Sequence, residues 1–179
     1  MDTRGGNKHE IARMLLKWKY EDIWGRELPE IAVTEMGKPY FVDAPGYFSI
    51  SYTGSLCCCA LCDSPVGVDI ERIRNVSYNA VKGVLSPAEW MQYSISENPS
   101  ETFMRFWTLK EAYCKFTGLG IAGTKLKETE FDCSGSEPSA LFRNDLHFWC
   151  RKIDDEEGGF VLSLCTDRLY RPEFYMETF

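Results

Sequence analysis

An α+β fold with antiparallel sheets is what this sequence predicts, on three observations. Extended segments at 47–52, 56–62 and 66–73 follow one another across short turns, Thr53-Gly54 and Asp63-Ser64-Pro65, which reads as an antiparallel meander. Two longer stretches, 8–24 and 100–117, carry apolar residues at helical three-to-four spacing. Further extended segments at 128–133, 146–153 and 160–166 close the chain, the last two joined by a charged hairpin loop at 154–159.

The elements follow in order. Over 8–24, Ile11, Met14, Leu15, Trp18 and Ile23 form the expected apolar side of a helix that stops at Gly25. Residues 31–35 read as a short strand. Gly37-Lys38-Pro39-Tyr40 is a turn into extended chain, because Pro39 holds its own φ and steers Lys38 away from helix. Ser77 caps a helix to about residue 85, and Ser86-Pro87-Ala88-Glu89 opens another as a capping box. The helix at 100–117 offers Phe103, Phe106, Trp107, Cys114 and the body of Tyr113 as its apolar side, and Gly118 ends it. Residues 119–127 read as a loop freed by Gly118, Gly120 and Gly123.

Composition removes several function classes. The 179 residues carry 44% hydrophobic side chains and a net charge of −7. That is enough apolar matter for a core and the wrong sign for a general nucleic-acid binder. The longest strictly apolar run is 56–62, too short to cross a membrane, and the polar start resembles no signal peptide, so the expected compartment is the cytoplasm. Eight cysteines are then expected as free thiols. The run Cys57, Cys58, Cys59, Cys62 is a poor zinc site, since neighbours on a strand point to opposite faces and no second pair completes a tetrahedron. Charge is uneven: residues 101–127 hold five basic and two acidic side chains in an otherwise acidic chain. An anionic ligand is expected there.

Two segments carry candidate chemistry. In Gly67-Val68-Asp69-Ile70-Glu71-Arg72, Val68 and Ile70 share one strand face, and Asp69 and Glu71 share the other, ~7 Å apart. Such a pair reads as a solvent-facing strand side or, with a cation between, as a metal site. In 107–115, Trp107, Glu111 and Lys115 fall at i, i+4 and i+8 on one helix face. Glu111 and Lys115 alone would be an ordinary surface ion pair worth ~0.3–0.5 kcal/mol. Together the segments bring three carboxylates within reach of one hard cation, with Lys110, Lys115, Lys125 and Lys127 to neutralise phosphate charge. With only His9 and His147 in the chain, histidine-dependent hydrolysis has little to draw on.

These residues resemble a family. Gly67-Val68-Asp69-Ile70-Glu71 followed by Phe106-Trp107-Thr108-Leu109-Lys110-Glu111-Ala112-Tyr113-Cys114-Lys115 is similar to the paired signature of the 4′-phosphopantetheinyl transferases. Gly37-Lys38-Pro39, Phe48-Ser49-Ile50-Ser51-Tyr52-Thr53-Gly54 and Leu85-Ser86-Pro87-Ala88-Glu89-Trp90 resemble further elements of the larger, surfactin-synthetase-activating type. The likeness covers roughly residues 8–131. It implies a fold of two pseudo-symmetric α/β halves with antiparallel sheets. Residues 1–65 would form a coenzyme A-binding half, short at its start compared with the larger type, and 66–179 the half with the carboxylates and the signature helix.

The implied activity is transfer of 4′-phosphopantetheine from coenzyme A to a serine of an apo acyl or peptidyl carrier protein, with Mg²⁺ and release of 3′,5′-ADP. Asp69, Glu71 and Glu111 would hold Mg²⁺, Glu111 would take the serine proton, and Lys115 would touch the phosphates. Lys8, Lys38, Pro39, Ser51, Tyr52 and Lys110 complete the implied coenzyme A contacts, with Ser51 near the 3′-phosphate. Tyr52 stands where the motif usually has histidine; its hydroxyl donates a hydrogen bond but brings no charge, so a weaker hold on the 3′-phosphate is expected. A fatty-acid, polyketide or peptide carrier would dock near residues 82–95 or 101–127, on a monomer or dimer. The alternative is a non-catalytic coenzyme A or carrier-binding module of the same descent.

Overall fold

Helix α1 (Lys8–Trp24) forms where its spacing predicts but buries a different stripe. Ala12, Leu16 and Tyr20, each four apart, are the buried residues, while Met14, Trp18 and Ile23 are exposed. The computed structural model describes residues 8–54, 56–135, 137–170 and 172–175, with Lys8 described by its backbone alone. Leu16 and Tyr20 pack with Phe41 and Phe48. Burying a leucine of this kind contributes about 1.5–3 kcal/mol. That reward went to the four-residue stripe because the sheet beneath meets only one side of the helix.

Strands β1 (Ile31–Val33) and β2 (Pro39–Phe41) form a small antiparallel pair around the turn at Gly37, whose φ is 84°. Strands β3 (Tyr47–Thr53) and β4 (Leu56–Cys62) pair antiparallel, with Tyr47 opposite Cys62. The expected meander ends there. Strand β5 (Val66–Arg72) pairs not with β4 but with β9 (Phe160–Thr166), whose other neighbour is β8 (His147–Ile153). The correction has a physical cause: Val68 and Ile70 bury themselves against Leu56, Cys58 and Ala60, so β4 and β5 stack face to face instead of lying edge to edge. The opposite side of β4 gives Cys59 and Leu61 to the α1 cluster. Neighbouring cysteines do point to opposite faces, Cys58 towards β5 and Cys59 towards α1, and all eight are free thiols.

Between β5 and β8 lie the helices. Helix α2 (Tyr78–Val84) is capped by Ser77, and α3 (Pro87–Ser94) opens on the reciprocal Ser86–Glu89 capping box. Helix α4 (Pro99–Thr117) starts a residue earlier than expected, capped by Asn98, and ends at Gly118 with φ 74°. The loop after it contains a single helical turn, α5 (Gly120–Gly123). The strand expected at 128–133 shrinks to β6 (Phe131–Asp132), paired with an unforeseen β7 (Ser139–Ala140). It is short because Glu89 and Gln92 of α3 take the Phe131 and Cys133 amides.

The layers therefore run α1, β3–β4, β5–β9–β8, α4. Helix α4 lies close on β5 because Gly67 has no side chain: a Cβ there would stand 2.0 Å from the Ala112 carbonyl oxygen and 2.5 Å from the Phe116 nitrogen. Both are backbone atoms that cannot rotate away. Gly67→Ala is expected to destabilise by about 3 kcal/mol, the upper end for overpacking, because the helix must lift off the sheet. A thermal melt of the variant checks this, and an unchanged midpoint would refute the close approach.

Candidate active site

A cleft of about 510 Å³ opens between α1, the turn before β2, β3 and the C-terminal half of α4. Its walls carry His9, Arg13, Lys38 and Lys115 as cationic or ionisable groups, with Tyr52 and Glu111. Sequence reasoning missed His9 and Arg13. The available signal was their i, i+4 spacing together with Leu16, which puts all three on one side of α1. The His9 and Tyr52 rings meet edge to face with centroids 4.9 Å apart. Burial, then the nearby cysteines, push the Tyr52 hydroxyl up, which keeps it a hydrogen-bond donor.

Lys38 and Pro39 both line the cleft. The Lys38 ammonium donates to the Phe116 carbonyl oxygen at the end of α4, where the helix leaves carbonyls unpaired. Burial pushes the Lys38 pKa down. Lys8, predicted as a phosphate contact, has its side chain outside the described residues.

The acidic residues come next. Asp69 is 4% exposed, so the strand side it occupies does not face solvent. Its Oδ1 accepts from Ser51 Oγ at 2.6 Å and from Lys115 Nζ at 2.7 Å. Lys115 thus pairs across to β5 rather than back along the helix to Glu111. Glu71 Oε2 accepts from Thr53 Oγ1 at 3.1 Å. Asp69 Oδ2 and Glu111 Oε1 are buried without a hydrogen-bond partner. Burial first, then the Asp69 charge, raises the Glu111 pKa to about 7, against the partial relief of Lys115.

Four predicted residues stand away from the cleft lining. Lys110 is fully buried on another side of α4, with its ammonium 2.8 Å from Glu89 Oε2, and it does not reach the cleft. Residue 110 precedes Glu111 by about 100° around a helix, which already sets it off the Glu111–Lys115 face. Ser51 is buried against Asp69 and is not a lining residue of the cleft. Glu71 lies beside Thr53 and likewise does not line it. Lys125, exposed, pairs with Glu128 at 3.0 Å.

Among the described residues no three His, Cys, Asp or Glu side chains form a ready-made metal cage. The donor set nevertheless suits Mg²⁺, which commonly takes one or two carboxylates and completes its shell with substrate phosphates and water. Two buried, unpartnered carboxylate oxygens, on Asp69 and Glu111, call for a cation.

A family model described as the 4′-phosphopantetheinyl transferase superfamily matches residues 65–165. This chain belongs to that superfamily. A 4′-phosphopantetheinyl transferase of Bacillus subtilis is 30% identical over 166 residues, covering 90% of this chain and 70% of the relative. The 4′-phosphopantetheinyl transferase Sfp of Bacillus subtilis strain 168 is 32% identical over 91 residues, covering 49% of this chain and 41% of Sfp. The chain thus spans 70% of the first relative's length and 41% of the second's. Thermotoga maritima holo-[acyl-carrier-protein] synthase (AcpS) aligns in structure with a TM-score of 0.47 at 21% identity, over 59% of this chain and 64% of that one. In this phosphopantetheinyl transferase-family chain, the matched span holds β5, α4 and β9, and with them every carboxylate discussed above. No helix among the described residues is long and apolar enough to cross a membrane.

Proposed function

We propose that this chain transfers 4′-phosphopantetheine from coenzyme A to a serine hydroxyl of an apo acyl or peptidyl carrier protein, in the cytoplasm, and releases 3′,5′-ADP. The observation that carries this reading is the placement of Glu111: a carboxylate on the wall of a cation-lined cleft, with a buried unpartnered oxygen, beside an Asp69 that is paired to Lys115. A carboxylate on the cleft wall suits acceptance of the proton of an attacking alcohol.

In this reading residues 1–65 would be the coenzyme A-binding half, supported by His9, Arg13, Lys38 and Tyr52 on the cleft wall, and 66–179 the half with the carboxylates and Lys115. His9, Arg13 and Lys38 line the cleft where the 3′-phosphate and diphosphate of coenzyme A would lie. Asp69, Glu71 and Glu111 would hold Mg²⁺, which, when bound, supplies charge neutralisation at the diphosphate. The carrier serine oxygen attacks the phosphorus that bears the pantetheine arm. Its proton passes to Glu111, directly or through one water. The bond from that phosphorus to the bridging oxygen breaks, and the electron pair leaves with 3′,5′-ADP. Lys115, 2.7 Å from Asp69 at the cleft wall, would balance charge on the transferred and leaving phosphates.

The test combines purified protein, Mg²⁺, coenzyme A and an apo-carrier protein, and reads the carrier's intact mass. A gain of one phosphopantetheine, abolished by EDTA and restored by excess Mg²⁺, is the expected result. Binding of coenzyme A with no mass gain on any carrier type would replace the enzyme with a binding module.

A further inference from the structure

We infer that Ser51 and Thr53 are positioning residues that aim the β5 carboxylates at a shared cation, a role distinct from holding nucleotide. The inference rests on the cation site proposed above. Ser49, Ser51 and Thr53 alternate along β3, so their side chains share one face, and that face meets the edge of β5 that β9 leaves open. Ser49 Oγ accepts from the Val68 amide at 3.0 Å. Ser51 Oγ donates to Asp69 Oδ1 at 2.6 Å. Thr53 Oγ1 donates to Glu71 Oε2 at 3.1 Å and accepts from the Arg72 amide at 3.3 Å.

These hydroxyls do more than satisfy a sheet edge. Ser51 and Lys115 both act on Oδ1 of Asp69 and leave Oδ2 buried and unpartnered. One oxygen is thereby fixed and the other kept available, which selects the rotamer of the carboxylate. A serine has a single hydroxyl proton. The Ser51 proton is committed to Asp69 in a site 4% exposed and off the cleft lining, so it is not free for a phosphate oxygen. Thr53 is engaged in the same manner, its proton on Glu71 and a lone pair on the backbone. Partners that orient a metal-binding carboxylate typically change metal affinity by about 10–100-fold when removed.

The experiment measures Mn²⁺ binding by electron paramagnetic resonance without coenzyme A, and coenzyme A binding by calorimetry in EDTA. Ser51→Ala is expected to weaken Mn²⁺ about 10-fold or more and to leave metal-free coenzyme A binding unchanged. Thr53→Val should weaken Mn²⁺ in the same direction, and Thr53→Ser, which keeps the hydroxyl, should restore it. Ser49→Ala removes the hydroxyl that touches only backbone and should leave Mn²⁺ affinity in place. Thermal melts of each variant separate loss of aim from loss of fold. Unchanged Mn²⁺ binding in Ser51→Ala, while Asp69→Ala loses it, overturns the positioning role alone. If the parent and Asp69→Ala bind Mn²⁺ equally, the cation site itself is refuted and the positioning role with it.

Discussion

Glu111→Gln is expected to lower phosphopantetheine transfer by about 10²–10⁴-fold, the usual contribution of a positioned general base. The variant should keep its fold, and the energetics say why. Glu111 is a half-buried carboxyl near Asp69, and both burial and that neighbour oppose its ionisation. A carboxyl whose folded-state pKa lies above its unfolded value binds more protons when folded. Its contribution to stability therefore falls as pH rises through the window, here from the ordinary 4.5 to about 7. Glutamine carries no charge and escapes that loss. At pH 7 the variant should melt at or above the parent's temperature while its transfer rate collapses. Intact-mass kinetics with Mg²⁺ and a thermal melt of the metal-free protein in EDTA check both halves. Loss of rate accompanied by a lower melting temperature would mean that Glu111 is structural.

Lys110→Met is expected to produce the largest loss of stability, about 3–5 kcal/mol, or roughly 6–20 °C in melting temperature for a chain of this size. The ammonium is fully buried and has three acceptors: Glu89 Oε2 at 2.8 Å, the Thr129 carbonyl oxygen at 2.7 Å and the Leu126 carbonyl oxygen. Glu89 in turn accepts from the Ser86 amide at 2.8 Å and the Phe131 amide at 3.0 Å. Burial pushes the Glu89 pKa up and the Lys110 pKa down, each partly offset by the other. Removing the lysine alone strands a buried carboxylate and two carbonyls. Glu89→Gln with Lys110→Met should cost less than the sum of the single changes, because the stranded charge disappears with its partner. Below the variant's melting transition, coenzyme A affinity should match the parent's, since Lys110 lies outside the cleft. A specific loss of coenzyme A binding in a folded Lys110→Met protein would return this lysine to the substrate.

The Glu89–Lys110 pair shows how far the sequence could be read. Ser86 and Glu89 are visible three apart as a capping box, and the box forms. Nothing local shows that the same Glu89 also reaches a lysine on α4 and an amide of β6, since those partners lie 21 and 42 residues away in the chain. Likewise the i+4 relation of Glu111 and Lys115 puts both on the cleft, while the actual ion pair runs to Asp69, 46 residues back. Ser51 reads as a nucleotide ligand from the motif and Thr53 carries no role there; the targets of both became visible only with β3 beside β5.

The chain's own order was enough to determine what depends on near neighbours: the extents of α1 and α4, the caps at Ser77 and Ser86, the hairpin at 154–159, and the alternation that sets Asp69 and Glu71 apart from Val68 and Ile70. These follow from periodicity and from hydrogen bonds that close within a few residues. Tertiary structure decided the rest: that β5 joins β9, that α1 buries Ala12, Leu16 and Tyr20, that Gly67 admits α4, and that Ser51 and Lys115 share one oxygen of Asp69. Each of those choices is a contact between distant segments, settled by which apolar faces can be covered together and which buried charges can then be paired.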